Sequence, residues 1–285
     1  MYKVFTNLMA DEANLYGLVL SSADVTHHVR RGEHGWEVYV RDMDYEKALY
    51  AIEEYLSENR DAHLVEEVPA FEYGRTFSGL WVSLVVVALH VGVALSRESG
   101  AFIKTYGLAV YEVLHGELYR TVTSLFIHAD TLHLAGNVLG IALFCTAVCQ
   151  ITGPGVGWLM ILLTGLGGNL MNALLYKSHH LSVGSSTAVF GAVGILAGYQ
   201  FFKKLRPPGR RHKAWLPLAG GLALLAFLGA GKHSDLTGHL FGFLVGIVVG
   251  VLYAFLASRP GGKLCQVSSL AIALMLVVIA WTRAF

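Results

Sequence analysis

In the stretch GSSTAVFG (184–191), two adjacent hydroxyls, Ser185 and Ser186, stand between glycines at the mouth of a long apolar run. A serine there can be a helix cap, an inert hydroxyl or a nucleophile, and a nucleophile needs a base to take its proton. His239 offers one, at the head of a His-xx-Gly-xxx-Gly pattern with Gly242 and Gly246. Those three residues share a helix face. The run after Ser186 carries Gly191, Gly194 and Gly198. Close packing of the two glycine faces would bring His239 against Ser186. On a helix Ser185 and Ser186 point about 100° apart, so only one of them can face the imidazole. His133 and Asn137, four residues apart in another apolar run, present two donors on one helix face. They can be helix–helix glue, or they can hydrogen-bond a developing oxyanion together with the Ser186 backbone N–H at a positive helix end.

The runs that carry these residues read as membrane spans. The 285-residue chain is 54% hydrophobic and 14% charged, with a mean hydropathy of +0.53; soluble domains carry about 25% charged residues. A net charge of +1 argues against nucleic acid as a partner. Runs near 77–95, 132–151, 154–176, 186–205, 214–231, 235–257 and 265–282 are expected to span, the fifth being marginal in length. The basic connection KKLRPPGRRHK (203–213), with Arg259 and Lys263, belongs on the cytoplasmic side. That puts the N-terminus inside and Phe285 outside. Spans two, four and six then run the same way, so His133, Asn137, Ser186 and His239 fall at one depth near the outer face. Polar residues in spans are costly and usually serve a site.

Charge concentrates in residues 1–60, which read as a small soluble βαββα unit. Tyr2–Phe5 is a strand and 10–20 a helix. Val25, His27, Val29 and then Trp36, Val38, Val40 alternate around the turn RGEHG. Asp44 can cap a helix with the stripe Ala48, Leu49, Ile52, Tyr55 and Leu56. Residues 61–76 are a linker, 77–257 a six-helix core, and 258–285 an additional C-terminal span. The segment 96–131 reads as a structured loop in the membrane interface. The opening MYKVFTNLMADEAN lacks the basic and apolar regions of a secretory leader. Cys145, Cys149 and Cys265 read as packing residues, His90, Asn169 and Asn172 as interhelical hydrogen-bonders, and His179 and His180 as solvated loop residues.

The combined pattern resembles the rhomboid family of intramembrane serine proteases. GSSTAVFG (184–191) matches the family's GxSxxxFG motif, HLAGN (133–137) its HxxxN motif, and GHLFGFLVG (238–246) its final-histidine motif. The resemblance covers about 77–257, and the N-terminal unit resembles the cytosolic domain of bacterial rhomboids. It implies an all-α polytopic membrane protein, a rhomboid-like helix bundle with seven predicted spans and a small N-terminal α+β (βαββα) soluble domain. It implies Ser186 as nucleophile and His239 as general base. His133, Asn137 and the Ser186 N–H would support the oxyanion. Phe190 would pack on the histidine, with Gly184, Gly242, Gly246 and His128 in support. Tyr119-Arg120 stands where the family often has Trp-Arg.

The resulting expectation is an endopeptidase of the bacterial inner membrane acting on transmembrane segments of other proteins. It would work by a serine–histidine dyad without metal or nucleotide, and Asp235, one turn before His239, is not expected to complete a triad. A non-catalytic rhomboid-like binding module and, less well, a transporter remain as alternatives.

Overall fold

The computed structural model describes residues 1–59, 74, 76–96, 98–176, 181–205, 211–229, 235–257 and 260–284. The chain divides into two compact units, Met1–Val68 and Pro69–Phe285. Most of the linker expected at 61–76, together with His179, His180, Arg206, Arg210 and Arg259, lies outside the described residues.

The first unit has the expected βαββα order: β1 (Tyr2–Leu8), α1 (Ala10–Ser22), β2 (His27–Arg31), β3 (Trp36–Val40) and α2 (Tyr45–Glu58). β3 is the central strand, antiparallel to both neighbours in the order β1-β3-β2. The β2–β3 register is regular from His27↔Val40 to Arg31↔Trp36. Alternation places Val38 and Val40 on the helix-covered face, where they are buried with Leu20, Val25, Ala48 and Ile52. Asp44 sits at the head of α2, but its carboxylate takes Arg41 Nε at 2.8 Å, and its side chain makes no cap hydrogen bond. The expected side-chain cap is therefore replaced by a local ion pair.

In the second unit, α3 (Ser78–Leu95) is followed by a loop of short elements: α4 (Ser99–Tyr106), β4 (Leu108–Ala109), α5 (Val110–Leu114) and α6 (Arg120–Thr123). Then come α7 (Thr131–Thr152), which passes through a π-turn at Ile141–Cys145, and α8 (Pro154–Tyr176). β5 (Leu181–Ser182), α9 (Ser186–Leu205), α10 (Trp215–Leu228), α11 (Leu236–Leu256) and α12 (Lys263–Ala284) complete the unit.

Every one of the seven expected spans is helical, and among the described residues five, α3, α7, α8, α11 and α12, are long and apolar enough to cross a membrane. α10 has 14 residues, about 21 Å at the helical rise, short of a hydrocarbon core of about 30 Å. α9 is long enough, but its serine, threonine, glycines and two lysines lower its hydropathy. Its composition suits its place, because it is continuously buried from Thr187 to Ile195 and faces protein rather than lipid.

α9 packs most closely on α11, and glycines make this possible. A β-carbon on Gly242 would collide with Thr187 O, one on Gly246 with Gly191 O, and one on Gly194 with Phe243 O. The two backbones are in direct contact, which larger residues at these positions would prevent. α12 is tied to the turn between α7 and α8 by one side chain. Gln266 Oε1 accepts from the N–H groups of Gly155 (2.8 Å) and Val156 (3.1 Å), while its Nε2 donates to Thr152 O (2.8 Å). These are N–H groups of the first turn of α8, which has no intrahelical acceptor for them.

Candidate active site

Ser186 opens α9, and the turn before it is held by the 108–125 loop. β5 pairs with β4, Leu108 opposite Ser182. Gly184 N–H donates to Ser124 O at 2.9 Å, and Ser185 Oγ donates to Leu125 O at 2.6 Å. Gly184 has φ +125°, a conformation that side-chain-bearing residues adopt only under strain. Of the two serines, Ser185 is thus committed to the scaffold.

Ser186 Oγ lies 2.7 Å from His239 Nε2. The other ring nitrogen, Nδ1, is 3.3 Å from the Gly229 carbonyl. An N–H directed at that carbonyl leaves Nε2 as the acceptor, which is the tautomer a base requires. His239 is 3% exposed, and the Phe190 ring packs against it with centroids 4.8 Å apart and planes at 31°.

His133 and Asn137 face the same turn from α7. A β-carbon built on Gly184 would lie 2.7 Å from His133 Nε2 and 3.3 Å from Asn137 Nδ2. Asn137 is buried, and its Nδ2 has no hydrogen-bond partner among the described residues. Asp130 caps α7 by accepting from His133 N–H at 2.8 Å. The His128 ring is 5.5 Å from that of His133, and its Nε2 makes a long contact, 3.4 Å, with Ser185 N–H. Burial, reinforced by the neighbouring histidines, pushes the His128 imidazole down to about 3, so it is neutral at pH 7 and able to accept that bond.

The loop that holds the turn is itself anchored. Arg120 is buried, donating Nη1 to Lys104 O (2.8 Å) and Gly107 O (3.0 Å) and Nε to Glu117 (2.6 Å). Tyr119 OH shares the same Glu117 oxygen at 2.8 Å. Hydrogen bonds from Arg120 and then Tyr119 hold the Glu117 carboxyl below the ordinary carboxylate range. Asn169 of α8 reaches the loop through Thr121 O (2.9 Å) and Ser124 Oγ (3.2 Å).

Asn172 Nδ2 donates to Asp235 at 2.6 Å, and Asp235 also accepts from Gly238 N–H (2.9 Å) and Thr237 Oγ (2.8 Å). Asp235 therefore caps α11 and ties the start of the His239 helix to α8. His90 lies edge-on to His128 with ring centroids 6.4 Å apart. Cys145 and Cys149 are buried in the helical core, whereas Cys265 is exposed on α12 and does not pack there as its apolar surroundings suggest. An apolar run facing lipid and one facing protein have the same composition.

The structure thus brings Ser186, His239, Phe190, His133, Asn137, Gly184 and His128 around one turn, with Gly242 and Gly246 in the helix contact beneath it. Sequence reasoning missed the Gly229 carbonyl and the Ser124 and Leu125 carbonyls that hold the turn. Backbone oxygens carry no residue-type signature, so no sequence signal could have found them.

Residues 115–255 match the Rhomboid domain of the protein-family models. The chain belongs to the rhomboid family. It is similar to Rhomboid-like protease 3 of Toxoplasma gondii, 33% identical over 139 residues covering 48% of this chain and 52% of the relative. It is similar to the rhomboid protease GluP of Bacillus subtilis, 28% identical over 161 residues, 53% of this chain and 31% of the relative. It is also similar to Inactive rhomboid protein 2 of Homo sapiens, 28% identical over 144 residues, 49% of this chain and 16% of the relative. The matched segment spans about half the length of the first of these relatives and less of the other two. With its rhomboid domain and five membrane-length apolar helices, the chain is a multi-pass integral membrane protein.

Proposed function

We propose that this rhomboid is an intramembrane serine endopeptidase that cleaves transmembrane segments of membrane proteins near the outer face. The observation that carries this reading is the 2.7 Å approach of Ser186 Oγ to His239 Nε2. Ser186 Oγ attacks the scissile carbonyl carbon while His239 Nε2 takes its proton. The C–N bond then breaks as His239 returns that proton to the leaving amine. A water, deprotonated by His239, attacks the acyl-serine ester; the new carboxyl end leaves and Ser186 regains its proton.

The oxyanion of each tetrahedral intermediate accepts hydrogen bonds from Asn137 Nδ2, His133 and the Ser186 N–H. The Gly229 carbonyl and the Phe190 ring hold the imidazole in orientation. In this reading 77–257 is the protease core, 1–60 a cytosolic domain joined by the 61–76 linker, and 258–285 an added span. The site opens to the extracytoplasmic side of a bacterial inner membrane, with the N-terminus in the cytoplasm and the C-terminus outside.

The relatives named as proteases support the activity, and the relative named as inactive supports a second reading, a rhomboid that binds membrane proteins without cutting them. Purified full-length chain mixed with a fluorescently labelled single-span substrate separates the two. Wild type is expected to cleave, and Ser186→Ala and His239→Ala to lose at least about a thousandfold in rate. Cleavage persisting in Ser186→Ala refutes the nucleophile. Binding of the substrate by wild type without cleavage refutes the peptidase and leaves the binding module.

A further inference from the structure

A cleft lies apart from Ser186. The 116–122 loop, α8 and the last turns of α12 enclose about 550 Å³, within the range of small-molecule sites. Its wall is apolar at Val122, Leu170, Leu276 and Ile279, and its two charged side chains are Glu117 and Arg283. From Leu276 to Arg283 the cavity follows α12 for about 10 Å at the helical rise. α12 is a span-length apolar helix, buried over only 11% of its most apolar window, so most of its surface is left for lipid. Arg283 is exposed in the last turn of α12 and makes no ion pair among the described residues. Glu117 is also half open, one of its oxygens taken by Arg120 and Tyr119.

An apolar trough whose lining carries one cation and one carboxylate matches a zwitterionic amphiphile. We propose that this cleft binds one phosphatidylethanolamine-type glycerophospholipid, its phosphate on Arg283, its primary ammonium on Glu117 and an acyl chain along Leu276 and Ile279. A planar guanidinium pairs well with a phosphodiester, because two N–H groups meet two oxygens. The ammonium brings three donors to a carboxylate whose second oxygen carries no described hydrogen bond. A choline headgroup has no N–H to offer and is a weaker ligand for the same cleft. The site does not depend on the peptidase reading; it would join α12 to the loop that anchors the Ser186 turn.

The test uses full-length chain in phosphatidylcholine nanodiscs with a trace of phosphatidylethanolamine carrying a photoactivatable acyl chain. Crosslinks are mapped by mass spectrometry. The expected result is labelling concentrated on 116–122 and 276–283. It should fall at least fivefold in Arg283→Glu, fall in the same direction in Arg283→Gln, and fall at least fivefold in Ile279→Trp, which fills the trough. Val278→Trp, also exposed on α12 but outside the cavity lining, should label as wild type does. A diacylglycerol probe with the same chain should label at least fivefold less. Melting curves of each variant confirm that it is folded. Equal labelling by the two probes, indifference to Arg283→Glu or to Ile279→Trp, or labelling spread evenly over the apolar helices overturns the proposal. So does displacement of the probe by a single-span peptide, which would make the cleft a protein-binding groove.

Discussion

Replacing Asn137 by leucine should separate stability from catalysis. The amide is 4% exposed, and its Nδ2 lies 3.3 Å from the β-carbon position of Gly184 without a hydrogen-bond partner among the described residues. A buried donor left unmet costs about 1–3 kcal/mol. Leucine has nearly the same shape and removes that penalty, so the unfolding free energy should stay within about 1 kcal/mol of wild type or rise. The transition state behaves oppositely. Losing one donor to an oxyanion costs about 2.7–4 kcal/mol, or roughly a hundredfold to a thousandfold in kcat. Because that bond forms only as the carbonyl becomes tetrahedral, KM should change by less than about threefold. Steady-state cleavage of a labelled single-span substrate, with a thermal melt of the same preparation, measures both quantities. A kcat within threefold of wild type at an unchanged folded fraction refutes the oxyanion role. A rise in KM with kcat unchanged would assign Asn137 to ground-state binding instead.

Further outcomes follow from the same contacts. Ser185→Ala gives up the bond to Leu125 O and should lose about 1 kcal/mol of stability while keeping substantial cleavage; loss of activity on the scale of Ser186→Ala would mean that the wrong serine has been chosen. Gly246→Ala drives a methyl into the Gly191 carbonyl, so it should lower the melting temperature by several degrees and reduce cleavage, and a variant as stable as wild type would contradict the direct helix contact. Gln266→Leu strands the N–H groups of Gly155 and Val156 and should cost about 1–3 kcal/mol on unfolding, with Gln266→Glu milder because its acceptor survives. The Glu117 carboxyl is held below its unfolded value, so its pairing with Arg120 stabilises fully above the usual carboxylate range and is lost as pH falls through the folded value. The stability gap between wild type and Glu117→Gln should accordingly close as pH falls from neutral through the lowered carboxylate value, and a gap that widens would reverse the sign argument.

Much of the architecture was legible because it depends on local properties. Apolar length and period located all seven helices and the βαββα order, since a helix in lipid must satisfy its own backbone and a strand must alternate. Membrane-span length and apolarity were less legible. Among the described residues α10 is short and α9 is less apolar and packed within protein, so neither has the length and composition that mark the other five. Hydropathy alone does not distinguish a neighbour made of lipid from one made of protein. The candidate site was legible as a set of side chains at one depth, because Ser186, His239, His133 and Asn137 stand near the same ends of their runs. The carbonyls that position them were not, because every residue carries one.

The sequence by itself determined which long segments are helices, though not the short helices within 96–131, and that polar side chains and glycines stand on the faces of α7, α9 and α11 that meet. Those facts are written in residue type and spacing. Only the tertiary structure decided what Ser185 does while Ser186 meets the imidazole: it lies in the turn before α9 and its hydroxyl is spent on the Leu125 carbonyl. It also decided that the free nitrogen of His239 turns to the Gly229 carbonyl, and that α12 lies against α8 through Gln266 and leaves a cleft lined by Glu117 and Arg283 beside the loop. These are contacts between segments distant in the chain, and their geometry exists only once the helices are assembled.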